Sequence, residues 1–386
     1  MTTALRWGIL GVGDVCERKS GPLAFNQDGS SAVVAVMRRD AAKAEEFASR
    51  HKVPRWYSDA ELLVADAEID AIYVASPPSS HLSLAALAAA AGKPTIVEKP
   101  IARSYRESAE LVAAFEAANV PVFVAYYRRA YPRIQRLREL CRAGAALAHI
   151  EYRHTRPAKP NGGWRVSVTT SGGGHFVDVG SHVLDMLDFC FGPLCNVQPA
   201  ELRGPAGGAE EYVSATFTTA AGAAGTAVWD FDASSDEDSL HVHKADGSFI
   251  RVPGLMNGDT IEVHASPTSG ATETFTDAPP AVVHRPFVTS AVDAIRTGDT
   301  SACASTASSA LRTSYVCIYT CLYLYLYLYL FLYIYLRCAA HRCGHRRHPR
   351  TLLWRQGGRL LGAAGHVAVQ VILPLPLSLP LPLTLG

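Results

Sequence analysis

The sequence predicts an α/β protein in two parts: a doubly wound parallel sheet over residues 1–125, then an α+β domain over 126–316 with a large, mostly antiparallel open sheet. Three observations carry this. Short apolar runs alternate with helix-length segments up to residue 125, as βαβ units require. Beyond about residue 143 the texture changes to spaced strands separated by turn residues. A chain of 386 residues also exceeds what one hydrophobic core usually organises.

Taken in order, the strands of the first part fall at 7–10, 32–37, 71–75, 95–97 and 120–125. Between them, 82–91 is nearly all Ala and Leu, which lose little side-chain freedom in a helix, and it stops at Gly92 with Pro94 just beyond. A helix over 131–143 leads into the second part. There the strands fall at 149–154, 212–218, 225–230, 240–243 and 260–264, with one helix over 180–191 ahead of most of them. Helices over 286–297 and 304–316 close the body.

Composition narrows the function classes. Residues 317–386 hold seven Arg and no Lys, Asp or Glu, so residues 1–316 set 29 basic side chains against 35 acidic ones. Nucleic-acid binding uses Lys and Arg to neutralise phosphates, and a mildly acidic body argues against it. Cys16, Cys141, Cys190, Cys195 and Cys303 are odd in number and irregular in spacing. That points away from a disulfide framework and toward a reducing compartment, the cytoplasm. Residues 5–10 run straight into glycines and read as a strand rather than the apolar core of a secretion signal.

Residues 317–386 break with the rest. Leu and Tyr alternate over 322–332, a basic stretch follows over 337–350, and Leu-Pro repeats occupy 373–383. Three low-complexity textures in succession are not the mark of a folded domain, and translated repetitive nucleotide sequence explains them better than selection does. The uncharged run 318–336 is long enough to cross a bilayer. Its period of two is a strand pattern, so membrane attachment is not the expectation.

The first chemical motif, Gly11-Val12-Gly13-Asp14-Val15-Cys16, follows the first strand. Glycines there permit a tight turn and close backbone approach to a pyrophosphate, ahead of a helix N-terminus that favours negative charge. Gly11, Gly13, Asp14 and Val15 are the expected cofactor contacts. Cys16 replaces the third glycine of the fingerprint and is small enough for close packing. Alone the motif is weak, because glycines after a strand are often only a turn; its place in a βαβ series makes the expected fold a Rossmann fold. Arg38 and Arg39 stand at the end of the second strand, with Asp40 behind them. A basic residue there can receive a 2′-phosphate, whereas a carboxylate holds ribose hydroxyls. The expected cofactor is therefore NADP, with NAD the alternative if the arginines are solvated and Asp40 serves the ribose.

Glu98-Lys99-Pro100 comes directly after the fifth strand, where a βα unit delivers side chains to the cofactor crevice. With Ser76-Pro77-Pro78 to His81 upstream, Ala125-Tyr126-Tyr127-Arg128-Arg129 downstream, and Gly172-Gly173-Gly174 to Asp185, it resembles the glucose-fructose oxidoreductase/inositol dehydrogenase/rhizopine catabolism family over residues 5–316. The dihydrodiol and aldose dehydrogenases that use NADP look nearest. The resemblance implies hydride transfer between nicotinamide and a sugar, polyol or cyclic trans-diol, and a second domain whose open sheet often builds homo-oligomers. It places Pro77 and His81 at the nicotinamide ribose, adds Ser76 and Glu98 to the cofactor contacts, and sets Trp164 and Arg165 at the cofactor's border.

The resemblance also makes Lys99, Asp178 and His182 the catalytic set, with His182 as general acid/base and Asp178 holding substrate or histidine. The chemistry suits them: an ammonium donates hydrogen bonds to a carbonyl or hydroxyl oxygen, and an imidazole moves protons near neutrality. Asp178, His182 and Asp185 are four and three residues apart, so a helical stretch would put all three on one face. Plainer readings exist, a helix cap for Asp178 and a core histidine for His182. Tyr126 and Arg128 are expected to line the cleft. A metal is a poorer explanation, because an Asp-His-Asp set lacks a further ligand. Two other functions stay open on sequence alone: a glycosidase that retains NAD and oxidises its sugar transiently, and a cofactor-binding regulator without catalysis.

Overall fold

The computed structural model describes residues 4–27, 29–158, 163–205, 208–317 and 320. Nearly all of the low-complexity segment lies outside these residues, and so do the expectations made for it. Among the described residues no helix is long and apolar enough to cross a membrane.

Six strands make the first sheet: β1 (Leu5–Leu10), β2 (Ser31–Met37), β3 (Arg55–Tyr57), β4 (Ala71–Val74), β5 (Thr95–Val97) and β6 (Val122–Val124). All neighbours are parallel, in the order β3-β2-β1-β4-β5-β6. Strand order reverses between β1 and β4, and in open α/β sheets ligands bind outside the carboxyl ends of the strands at that switch point. The helices are α1 (Asp14–Arg18), α2 (Gly21–Phe25), α3 (Ala41–His51), α4 (Ala60–Ala65), α5 (His81–Ala90) and α6 (Tyr105–Ala118). The two central strands are buried on both faces, with Trp7, Ile9, Leu10, Ile72, Tyr73 and Val74 excluded from solvent. Each such side chain stabilises the fold by about 1.5–3 kcal/mol relative to exposure.

After α7 (Pro132–Arg142) the second sheet has eight strands: β7 (Leu147–Thr155), β8 (Leu194–Arg203), β9 (Tyr212–Thr219), β10 (Ala224–Asp230), β11 (Glu237–Lys244), β12 (Phe249–Pro253), β13 (Thr260–His264) and β14 (Ala271–Thr276). Their order is β14-β13-β12-β11-β7-β10-β9-β8. The β7–β10 pair is parallel and the others are antiparallel. One face packs on the core through Ile150, Tyr152, Leu240 and Val242, while the other carries Glu151, Arg153 and Arg251. The remaining helices are α8 (Val168–Ser171), α9 (Ser181–Phe191) and α10 (Arg285–Thr297).

The structure adds four strands to the sequence reading: β3, β8, β12 and β14. The closing helix begins at Ala307 rather than at 304, since 303–305 bend before it. It is fixed to α9 by buried charge. Arg129 grips both oxygens of Asp185 at 2.7 and 2.6 Å, Thr313 donates to the same carboxylate at 3.1 Å, and Arg312 reaches Asp188 at 2.7 Å.

Candidate active site

One cleft of about 1040 Å³ lies at the carboxyl ends of β1, β2, β4 and β5, and turns and helices of the second part close its other side. Its floor at the switch point is the turn after β1. Gly11 has a φ of +91°, and a Cβ there would lie 2.8–2.9 Å from Ser76 Cβ, Cα and N, so only glycine fits between the two strand ends. A Cβ on Gly13 would meet nothing closer than a backbone oxygen at 3.9 Å, which leaves its backbone open to the cleft. The helix expected after this motif is only five residues long. Cys16 is buried where the third glycine would stand, and the turn between α1 and α2 requires Gly21, whose Cβ would collide with the Cys16 carbonyl at 2.1 Å.

Arg38, Arg39 and Asp40 line the cleft together beyond the end of β2. Asp40 is engaged in capping α3: its Oδ1 accepts from the Lys43 amide at 3.2 Å, and its other oxygen pairs with the Lys43 ammonium at 2.8 Å. Hydrogen bonds to Lys43 hold this carboxyl below the usual range. Both arginines stay at the cleft wall. Asp14, Val15, Ser76 and Pro77 also line it, with Ser80 donating to Ser76 Oγ at 2.8 Å.

His81 is a correction. Expected at the nicotinamide ribose, it is fully buried behind the cleft wall, with Nδ1 3.0 Å from the Pro100 carbonyl and Nε2 2.7 Å from that of Ser76. Burial lowers its proton affinity. It ties the loop after β4 to the loop after β5, because its place at the start of α5 aims the ring between them.

At the opposite end Lys99 meets Asp178. The ammonium donates to Asp178 Oδ1 at 2.6 Å and to its backbone carbonyl at 2.8 Å, while Arg165 Nε lies 3.4 Å from the other carboxylate oxygen. Burial opposes ionisation of Asp178, but the Lys99 charge and hydrogen bond, with Arg165, outweigh it and hold the carboxyl below its ordinary range. Arg165 stacks over Trp164, its guanidinium carbon 4.6 Å from the ring centre, and both border the cleft.

Asp178 sits in a π-helical turn, Phe176–Gly180, that runs directly into α9. Such turns occur often at functional sites. The glycine run before it has a packing cause. A Cβ on Gly172, at φ +88°, would strike the Arg103 carbonyl at 2.1 Å, and Gly174 donates to the buried Glu210 carboxylate at 2.5 Å. His182 follows on α9 and is also buried at the cleft. Burial, then the nearby positive charges of Lys99 and Arg128, put its pKa well below the ordinary value, so the ring is neutral around pH 7. Asp185 does not share the cleft. It lies a turn farther along and roughly 60° around the helix from His182, where it pairs with Arg129 instead.

Glu98 is a buried carboxylate under the cleft. Tyr73 donates to it at 2.6 Å, His284 Nε2 lies 3.0 Å away, and the Lys99 amide donates at 3.2 Å. Burial would raise its pKa, yet the His284 and Tyr73 hydrogen bonds and nearby positive charge bring it to about 2. Sequence reasoning missed His284, and also Lys19 and Met256, which line the same cleft. His284 stacks on Tyr127 with ring centres 4.1 Å apart, and Tyr127 lies 5.4 Å from the His182 ring. No local motif marks His284; it is 186 residues from Glu98 in sequence. Tyr126, expected at the cleft, is instead in the core.

A switch-point cleft with a glycine turn at one end and a half-buried lysine and aspartate beside a buried, neutral imidazole at the other fits a nicotinamide-dependent oxidoreductase. The chain belongs to the Gfo/Idh/MocA family: the model of the family's NAD-binding Rossmann fold matches residues 5–126 and that of its C-terminal domain matches 134–250. An oxidoreductase of Formosa agariphila is 36% identical over 256 residues, which is 64% of this chain and 79% of that one. The trans-1,2-dihydrobenzene-1,2-diol dehydrogenase of Mus musculus is 30% identical over 193 residues, or 49% of this chain, and the match spans only 57% of that enzyme. Levoglucosan dehydrogenase in complex with NADH and levoglucosan superposes with a TM-score of 0.69 at 20% identity, over 82% of this chain and 97% of that one. A 3-ketoreductase from Actinomadura kijaniata in complex with NADP and TDP-benzene does so with a TM-score of 0.69 at 16% identity, over 81% and 95%. These likenesses show the same fold. The protein is an NAD(P)-dependent oxidoreductase.

Proposed function

We propose that this oxidoreductase interconverts a secondary alcohol and a carbonyl on a sugar, polyol or cyclic trans-diol, with NADP as the preferred cofactor. The observation that carries the reading is the single cleft that joins the glycine turn and Arg38–Arg39 to Lys99, Asp178 and His182. The names of the relatives and structural neighbours, which are dehydrogenases of diols and sugars, agree with it.

Gly11 and Gly13 would let the backbone approach the pyrophosphate, and Arg38 and Arg39 would take the 2′-phosphate that Asp40, committed to its helix cap, leaves to them. When bound, the nicotinamide supplies the hydride acceptor or donor. Lys99 holds the reacting oxygen by donating a hydrogen bond to it, aimed by the two contacts to Asp178. His182, neutral in this environment, takes the hydroxyl proton on oxidation and returns it on reduction. Trp164 and Arg165 close the border. Neither the NAD-retaining glycosidase nor the non-catalytic regulator is favoured by a specific feature of this cleft.

The test is turnover: the protein with NADP⁺ and a panel of aldoses, inositols and trans-dihydrodiols, followed at the nicotinamide absorbance. Reduction of NADP⁺ by one of them, lost in Lys99→Met, supports the reading. Binding of NADPH with no turnover across the panel, in either direction, would sink it. The outer face of the second sheet, with Glu151, Arg153 and Arg251, is proposed as a homo-oligomer contact that sedimentation of Arg153→Glu would weaken. Residence in a reducing compartment, the cytoplasm, accords with the six free cysteines among the described residues.

A further inference from the structure

Arg128 stands in the cleft wall beside the reacting groups, half-buried and held rigidly. Its Nε donates to the Met256 carbonyl at 3.1 Å and its Nη1 to the Tyr127 hydroxyl at 2.8 Å, with the guanidinium carbon 5.0 Å from the Tyr127 ring centre. Those two contacts use two of the five N–H groups of an arginine. The rest, on Nη1 and Nη2, have no protein acceptor among the described residues.

Arg128 also lacks a counter-ion there. The next residue, Arg129, has Asp185. The carboxylate nearest the Met256 turn, Asp238, already accepts from Tyr152 at 3.0 Å and from the Met256 amide at 2.7 Å. At this end of the cleft Lys99 and Arg165 share Asp178, and Glu98 is occupied from below by Tyr73 and His284. Lys19 also lines the cleft, and its charge adds to the positive field at Asp178 and His182. A half-buried guanidinium with its fork edge unused and no partner charge is free to take an anion from a ligand, and the planar fork matches a carboxylate in bidentate geometry.

We infer that the substrate carries a carboxylate, and that Arg128 binds it while Lys99 and His182 act on a hydroxyl elsewhere on the same molecule. The substrate class is thus a polyhydroxylated acid, such as a uronic or aldonic acid, rather than a neutral sugar; this rests on the function proposed above. Tyr127 sets the spacing, because the guanidinium and the His182 ring both lie against its ring, at 5.0 and 5.4 Å. The arrangement also serves the base. Arg128 is one of the charges that lower the proton affinity of His182, and a seated carboxylate offsets that charge only when substrate is present.

The experiment compares matched pairs, D-glucuronate with D-glucose and D-galacturonate with D-galactose, on the NADP⁺-loaded protein. Calorimetry reads binding and nicotinamide absorbance reads turnover. At least one acid is expected to exceed its parent aldose about tenfold or more in affinity or kcat/KM, the scale of a charge-assisted hydrogen bond, and the margin is expected to shrink with added salt. Arg128→Gln erases the margin; Arg128→Lys, which keeps the charge but not the fork, retains part of it and serves if the glutamine variant does not fold. Equal or better use of the aldoses, loss of both members of a pair in equal measure in Arg128→Gln, or binding of neither acid overturns the inference while leaving the oxidoreductase reading in place. Binding of an acid with no turnover of any sugar would instead count against the reaction and uphold the subsite.

Discussion

Replacing Lys99 by Met removes the ammonium from the centre of the site while keeping much of the side chain's bulk. Two consequences follow from the geometry. The side chains of Lys99 and Asp178 are only 12% and 22% exposed, so the substitution leaves a largely buried carboxylate without its main partner. Breaking a fully buried pair costs about 3–5 kcal/mol. Here Arg165 remains 3.4 Å from the second oxygen and some water reaches the group, so roughly 1–3 kcal/mol is expected, within the range for one unmet charged contact. Asp178 should also regain a more ordinary proton affinity, because the Lys99 charge chiefly opposes the effect of burial. The chemical effect is larger. Losing the donor to the reacting oxygen should lower kcat by about 10²–10⁴, the usual contribution of a positioned proton-transfer or hydrogen-bonding group. NADPH affinity, set at the other end of the cleft, should change little. Urea denaturation, NADPH fluorescence titration and steady-state kinetics separate the three quantities. A folded Lys99→Met protein that binds NADPH and retains more than a tenth of wild-type kcat would refute the assignment of Lys99.

Other expectations follow from the same structure. Gly11→Ala introduces a Cβ at φ +91° within 2.9 Å of the Ser76 backbone, so thermal melts should show a loss of roughly 1–3 kcal/mol together with weakened cofactor binding; an unchanged melting temperature would contradict the tight turn. Arg38→Ala should raise the Kd for NADPH about tenfold or more with little change for NADH, and equal effects on both would assign the arginine to something other than the 2′-phosphate. His182 is depressed mainly by burial, so below about pH 6.5 the unfolded chain binds a proton that the folded one refuses and stability falls with pH, by up to about 1.4 kcal/mol per pH unit. His182→Gln should shallow that acid-side slope without abolishing it, since His81 shifts in the same direction; denaturation midpoints between pH 5 and 7 decide this.

The parts of the fold that were legible in the sequence are those whose burial pattern is strongest. β4 is buried along its whole length and β1 from Trp7 onward, and those stretches read as apolar runs; α5 is an Ala/Leu segment with a glycine stop. Three of the four missed strands lack such a signal, whereas β12 has one in Phe249, Ile250 and Val252, cut short by Pro253. β3 has only three residues, at the sheet edge, none of them buried, and β14 is almost wholly exposed. β8 contains Pro199 and Asn196, the latter at φ +47°, with two register shifts against β9, so its sequence resembles a loop while β9 holds it extended. The site shows the same division. Lys99 and the glycine turn lie at strand ends, where periodicity locates them. Asp185 was misplaced because helical spacing says which side of α9 a residue takes but not that Arg129 waits there. His284 could not be found at all, because its role depends on α10 packing over Glu98 and Tyr127.

The most direct test of the account is equilibrium titration of the full-length protein with NADPH and NADH, read by nicotinamide fluorescence. Saturable binding at one site, tighter for NADPH, is the predicted result. A protein that is folded by circular dichroism yet binds neither dinucleotide would contradict the central claim, because every role assigned to Lys99, Asp178 and His182 depends on a dinucleotide anchored by its pyrophosphate at the Gly11 turn.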